Sequence, residues 1–325
     1  MRREIGSEFW QVPVAGDNGF FPVETQWFAS GRSALLAIIK ENNFQTVALP
    51  DLCCDSMIKP FMACGIQVSF YPALSGLDNV DADAALIMDY FGYTGHSERG
   101  DFKGIVIRDL THSVFSAKYD DADYYFGSLR KWAGFYTGGF AWGLKKPVSY
   151  ETELSDYVLL RQRAMSAKAL YIDEQADSKD YLKVFSNAED MLDELSVAPG
   201  CDSDIFRAKM LDIDSIFQKR RRNARVLLDA FSDMAVFPDM KETDCPLFVP
   251  VLVENRDNLR RHLIEHEIYC PVHWPVSRYH QLSKETEAFY NWELSLVCDQ
   301  RYTEQDMLRM VDVIKEFLRK EKRES

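Results

Sequence analysis

Asp109 closes an apolar run, Gly104-Ile105-Val106-Ile107-Arg108, and Lys131 stands 22 residues later, just past a second run over Ala122–Phe126. If both runs are strands ending on one rim of a sheet, the two side chains meet. A desolvated lysine can become a neutral amine that attacks a carbonyl carbon. A carboxylate facing a ring nitrogen keeps that nitrogen protonated and makes the ring an electron sink. Together these are the two groups that pyridoxal chemistry asks of a protein. Taken alone, the pair is equally compatible with a turn cap at Asp109 and a surface lysine beside Arg130.

A cofactor of that kind also carries a phosphate. Ser30-Gly31-Arg32-Ser33 precedes the apolar stretch Ala34–Ile39, which is how a capped helix begins. Free backbone N–H groups and the helix dipole suit the start of such a helix to an anion, and Ser33 adds a hydroxyl. An ordinary N-cap explains the same residues. Ser128 and Gly138-Gly139 flank Lys131, where a hydroxyl and close backbone approach would be useful.

The elements that would position these groups alternate. Thr46–Pro50, Gln67–Tyr71, Ala84–Met88 and the run ending at Arg108 read as strands, with a helix near Ser56–Cys64 between the first two. Continuous apolar strands are those buried on both faces of a parallel sheet. The fold class is therefore α/β, with helices on both faces and ligands beyond the carboxyl ends of the strands. Residues 150–204 turn polar, and Ile205–Phe231 reads as one long amphipathic helix. Its basic cluster, Lys219–Arg222, reads as a solvated face. Strands at Leu247–Val253 and Glu293–Val297 follow, with helices at Asn258–His266 and Thr303–Arg319; Thr303 and Asp306 have capping-box spacing. The pattern predicts a large domain over 1–235, with an N-terminal arm, and a small α/β domain over 236–325.

Composition narrows the function classes. A balance of 51 acidic against 38 basic residues, net −13, argues against a nucleic-acid or anionic-membrane surface. Seven cysteines without a CxxC pair read as reduced thiols. The N-terminus lacks an apolar signal core, and no apolar run approaches the roughly 20 residues of a membrane span. A cytoplasmic protein is expected. The six histidines show no metal-ligand spacing with the cysteines, which predicts no metal.

The order Ser-Gly-Arg-Ser-Ala-Leu (30–35), Leu-Pro-Asp (49–51), Tyr-Phe-Gly (90–92), Arg-Asp-Leu-Thr-His (108–112) and Lys131 before Gly138-Gly139 resembles the DegT/DnrJ/EryC1/StrS aminotransferases. Cys270–Pro275 and Tyr302-Thr303-Glu304 extend the likeness, which covers most of residues 25–320 and is weakest over 150–205. The resemblance implies the aspartate-aminotransferase fold, a pyridoxal 5′-phosphate cofactor and a homodimer. It implies transfer of an amino group from a small amino donor, glutamate or glutamine, to a keto acceptor such as a nucleotide-linked keto sugar. Lys131 would hold the cofactor in Schiff-base linkage and shuttle the proton, and Asp109 would pair with the ring nitrogen. Gly31, Arg32 and Ser33 would bind the phosphate, Ser128 would lie beside it, and His112 would stand near the phenolic oxygen.

The chain also departs from the family pattern. The usual phosphate-binding serine, five residues before the lysine, is Phe126, and the partner-chain Gly-Tyr-Asn-x-Arg segment is not recognisable near Ser186-Asn187-Ala188. After Pro50 come Asp51-Leu52-Cys53-Cys54, with no aromatic to stack on the ring, while His273-Trp274 could line the substrate mouth or equally form a packed turn of the small domain. A lyase or decarboxylase on the same scaffold, or a non-catalytic cofactor-binding regulator, stays open as an alternative.

Overall fold

The structure is a computed structural model that describes residues 4–324 except 74, 75, 78, 96, 97 and 117–120. In chain order its strands are β1 (Ile5–Gly6), β2 (Gln26–Phe28), β3 (Thr46–Pro50), β4 (Gln67–Tyr71), β5 (Ala84–Met88), β6 (Ile105–Asp109), β7 (Tyr124–Ser128), β8 (Gly139–Trp142), β9 (Phe248–Leu252), β10 (Ile268–Tyr269) and β11 (Glu293–Val297). The helices are α1 (Gly31–Glu41), α2 (Asp55–Ala63), α3 (Ser155–Ile172), α4 (Tyr181–Asp190), α5 (Asp202–Lys209), α6 (Ile213–Phe231), α7 (Arg256–Glu265), α8 (Lys284–Trp292) and α9 (Glu304–Glu324).

Seven strands form the main sheet in the order β2-β8-β7-β6-β5-β3-β4. The five from β7 to β4 run parallel, and β8 is antiparallel to both its neighbours. All five residues of β5 are buried, as a strand covered on both faces requires. Its side chains alternate accordingly. Leu86 joins the cluster beneath α1 and α2, while Ala85 and Ile87 face the opposite layer with Val106 and Phe102. The parallel order brings the carboxyl ends of β6 and β7 side by side, with Asp109 opposite Phe126 in the register.

A second sheet pairs β9 with β11, antiparallel. Its core combines Leu227 and Phe231 of α6, Leu259 and Leu263 of α7, and Met307, Met310 and Ile314 of α9. The N-terminal arm reaches this unit, because β1 pairs with β10 and Ile5 is fully buried there.

The expected single helix over Ile205–Phe231 is two helices. Leu211 leaves the helical path to bridge Val14 of the N-terminal arm, and Asp212 restarts the chain by accepting the Ser215 N–H at 3.1 Å. The Thr303–Asp306 capping box forms as its spacing suggests: Thr303 N donates to Asp306 Oδ2 at 2.9 Å, and Asp306 N to Thr303 Oγ1 at 3.4 Å. Among the described residues no helix is long and apolar enough to cross a membrane.

Candidate active site

Beyond the carboxyl ends of β6 and β7 opens a cavity of about 750 Å³, lined by Gly31, Arg32, Asp109, His112, Ser128 and Lys131 among others. Its floor is held by a short relay. Thr111 N donates to Asp109 Oδ1 at 2.7 Å, and the indole of Trp132, the residue after Lys131, donates to the Thr111 carbonyl at 2.9 Å. Trp132 is itself fully buried, and Gln300 donates to its carbonyl at 2.6 Å. Lys131, at the end of a 3-10 turn over Leu129–Lys131, is thereby fixed to the same turn as Asp109.

Asp109 is 2% exposed. Burial pushes its carboxyl up to about 6, against the opposing pull of Thr111's hydrogen bonds and the charge of Lys131. Lys131 departs from the desolvated lysine expected above: its side chain is exposed, and it lines the open cavity. His112 is 1% exposed, and its Nδ1 accepts from the Phe91 N–H at 3.4 Å. Burial, with Lys131's positive charge adding to it, takes His112 down to about 3, so the imidazole is neutral. With Nδ1 accepting, its proton sits on Nε2 and makes that nitrogen a donor. Trp274 stacks on His112 with ring centres 5.4 Å apart, and His273 meets it edge-on at 5.5 Å. Both His273 and Trp274 line the cavity.

The other end is the start of α1. Ser30 accepts the Ser33 N–H at 3.2 Å, and as first-turn positions Gly31 and Arg32 have no helical acceptor for theirs. Ser128 lies against this turn: a Cβ on Gly31 would sit 3.5 Å from the Ser128 Cβ. Two glycines allow the approach. Gly138 has φ +110°, and a Cβ on Gly139 would fall 2.2 Å from the Ser30 carbonyl oxygen.

Ser33 is not part of this arrangement. It does not line the cavity; its hydroxyl meets the Ser196 and Ala198 carbonyls at 2.9 and 3.2 Å and accepts the Ala198 N–H at 2.7 Å. The cause is tertiary: the loop after α4 crosses α1 there and takes the hydroxyl as its partner. Arg32 reaches the cavity while bonded to Asp193 at 3.0 Å. Phe126, where a serine was expected, is fully buried beneath the sheet surface. Cys54 occupies the wall where a stacking aromatic was sought, and burial raises its thiol pKa.

The reading of Lys219–Arg222 as a solvated face fails at Arg220. This guanidinium is fully buried, lies 4.7 Å over the Trp132 ring, and bonds Gln300 at 2.8 Å and the Leu247 carbonyl at 2.9 Å. The signal was present, because Arg220 falls on the helical stripe through Ile216, Ala224 and Leu227. Sequence reasoning also missed Arg130, Arg161 and Arg301. All three line the cavity, and they are bonded to Glu189, Glu189 and Asp299 respectively.

No protein-family model and no curated protein matches the sequence. Solved structures do match. An aminotransferase from Helicobacter pylori, PseC, involved in pseudoaminic acid biosynthesis, is 14% identical with a TM-score of 0.63, covering 95% of this chain and 99% of its own. A DegT/DnrJ/EryC1/StrS aminotransferase from Brucella abortus gives 14%, TM-score 0.60, 90% and 85%. S. venezuelae DesV, in complex with a ketimine intermediate, gives 14%, TM-score 0.60, 97% and 90%. The chain has the fold of the DegT/DnrJ/EryC1/StrS aminotransferases. At this identity the likeness carries the fold; the activity rests on the site.

Proposed function

We propose that this protein is a pyridoxal-phosphate-dependent aminotransferase, with Lys131 and Asp109 as its catalytic residues. The supporting observation is that both line one cavity, with the free N–H groups of the α1 start at its other end. The residues present fit the cofactor in chemistry. Asp109 is buried, and its one hydrogen-bond partner among the described residues is Thr111. A ring N–H would satisfy that acid and, as a positive partner, keep it ionised. Gly31 and Arg32 offer free N–H groups and Ser128 a hydroxyl with no cap hydrogen bond, together enough to receive a phosphate dianion.

Pyridoxal phosphate, when bound, supplies the electron sink that weakens the C–H bond at an amino-bearing carbon. The chain does the rest. Lys131 Nζ would hold the cofactor and, once released from it, would move the proton between the substrate carbon and the cofactor, in one direction for the donor and in the other for the acceptor. Asp109 holds the proton on the ring nitrogen. His112, neutral, offers Nε2–H as a fixed donor, with Trp274 keeping its ring in place.

The donor would be glutamate or glutamine and the acceptor a keto group, on an anionic compound such as a nucleotide-linked keto sugar. In support, Lys and Arg outnumber Asp and Glu eight to four among the cavity residues, although the chain carries −13 overall. The working form would be a cytoplasmic homodimer.

The test is the visible spectrum of the protein with added pyridoxal phosphate, followed by L-glutamate. The expected result is a visible band that fades with glutamate and is missing from Lys131→Ala. No band, or a band indifferent to every amino donor, overturns the proposal.

A further inference from the structure

The six histidines show no metal-ligand spacing with the cysteines, but two of them are spaced for each other. His262, in the last turn of α7, and His266, the residue that caps its C-terminus, stand four positions apart, which brings both rings to one side of the helix end. Their ring centres are 4.6 Å apart. Glu316, on the neighbouring α9, faces the pair, and its carboxylate is held below its ordinary range by Lys320 first and by the two imidazoles as well. One ligand atom from each of the three residues lies within 4.8 Å of the other two.

The nitrogens are prepared for a ligand. His266 Nδ1 lies 2.9 Å from the His262 carbonyl oxygen; donating there leaves Nε2 as the lone-pair nitrogen. That backbone contact is the kind that orients a metal-ligating imidazole. His262 Nε2 is buried and has no hydrogen-bond partner. That nitrogen, a second imidazole and a carboxylate together offer a cation three lone pairs.

We propose that His262, His266 and Glu316 bind a divalent transition metal, Zn(II), on the outer face of the small unit. Two imidazoles and one carboxylate are a ligand set that zinc takes, with water completing a tetrahedron. Metal–ligand bonds of about 2.1 Å in a tetrahedron put the ligand atoms about 3.4 Å apart. The ligand atoms now lie within 4.8 Å of one another, and the exposure of His266 and Glu316 leaves their side chains room to close in. Lys320 Nζ, 2.6 Å from Glu316 Oε1, is the competitor that the metal displaces or shares. The site lies apart from the cavity residues of the same helix. Arg260 and Ile264 line the cavity, and His262, two positions from each, points about 200° around the helix from Arg260. A bound ion would join α7 to α9 behind that wall.

The test is a Zn(II) titration of the full-length, tag-free, chelator-treated protein, read by calorimetry or by competition with a chromogenic indicator. One equivalent should bind with micromolar or tighter affinity. His266→Ala should weaken it by about tenfold or more, and Glu316→Gln severalfold. Both positions are exposed, so these variants should keep the native circular dichroism. His262→Ala should remove the site, and if it fails to fold the other two decide. Co(II) in place of zinc should give a spectrum without a thiolate charge-transfer band, which separates this site from the free cysteines. Absence of binding to the wild type, unchanged binding in His266→Ala, or a thiolate spectrum overturns the proposal. None of these readouts depends on aminotransferase activity.

Discussion

Replacing Asp109 with asparagine should make the cofactor-free protein more stable while removing most of its activity. The magnitude follows from the buried acid. Its pKa rises from 3.8 to about 6 on folding, mainly through desolvation. A difference of about 2 units, at about 1.4 kcal/mol each, is a penalty of about 3 kcal/mol. Below pH 3.8 the group is protonated in both states and the penalty is absent. Between 3.8 and about 6 the unfolded chain releases its proton while the folded chain retains it, so the penalty accumulates, and above about 6 it is complete. Asparagine keeps an acceptor for the Thr111 N–H and carries no charge, so the variant escapes the cost. Unfolding entropy of about 2 cal/mol/K per residue over 325 residues turns about 3 kcal/mol into a rise of about 4 °C in Tm. The assay is thermal unfolding of both proteins, freed of pyridoxal phosphate, at pH 8 and again near pH 4. His112, whose folded pKa is about 3, makes both proteins lose stability as pH falls below 6.5, so the comparison cancels it. The variant should lead at pH 8, and the gap should close toward pH 4. With cofactor, its glutamate half-reaction should slow by about a hundredfold or more. A wild type as stable as the variant at pH 8 would refute the reasoning, since the longer-range attraction of the Lys131 charge would then outweigh desolvation.

Gly139→Ala should cost about 1–3 kcal/mol in a urea titration and weaken cofactor affinity, because the new Cβ would meet the Ser30 carbonyl at the cap of α1. Ser33→Ala should destabilise by about 1–3 kcal/mol, by leaving the Ala198 N–H without its acceptor, yet leave cofactor affinity unchanged in a fluorescence titration. Ser128→Ala should do the reverse, with affinity falling by about tenfold and stability holding, since one charge-assisted hydrogen bond is lost and no protein partner is stranded. Arg220→Met should cost about 3–5 kcal/mol, because Gln300 and two carbonyls lose a buried donor. Arg220→Lys should rescue little of that, as a single ammonium cannot reproduce the fork.

The part of the site legible in the sequence is the part set by local pattern. β4 and β11 occupy the expected residues because uninterrupted or alternating β-forming side chains mark them without reference to anything distant. Asp109, Ser128 and Lys131 came with the ends of such runs. What stayed hidden depends on long-range contacts. β1, β2, β8 and β10 have two to four residues each, too short for any periodicity, and exist through pairing with distant strands. The break between α5 and α6 is made by Val14, and the Ser33 hydroxyl is taken by residues 196 and 198, which no spacing near residue 33 could announce. Arg220 differs, for its place on an apolar stripe was available and the run of four basic residues concealed it.

Five of the cavity's eight lysines and arginines are anchored by carboxylates, while Arg220 and Arg260 bond Gln300 and backbone carbonyls. Arg32 is bonded to Asp193, Arg130 and Arg161 to Glu189, Lys179 to Glu4, and Arg301 to Asp299. A cation anchored to a carboxylate keeps its proton and its place; it can present a field to an anionic substrate but cannot act as a base. Lys131 has no ion-pair partner among the described residues, and it shares the cavity with a buried acid that burial already inclines to hold a proton. The acid's hydrogen bond from Thr111 fixes where it points, and Trp132 fixes the turn that presents the lysine. An amine held by its backbone but not by a counter-charge is the one free to form and break a covalent bond. That asymmetry sets Lys131 apart from Lys179, the other amine of the cavity wall, and supports the role proposed for it.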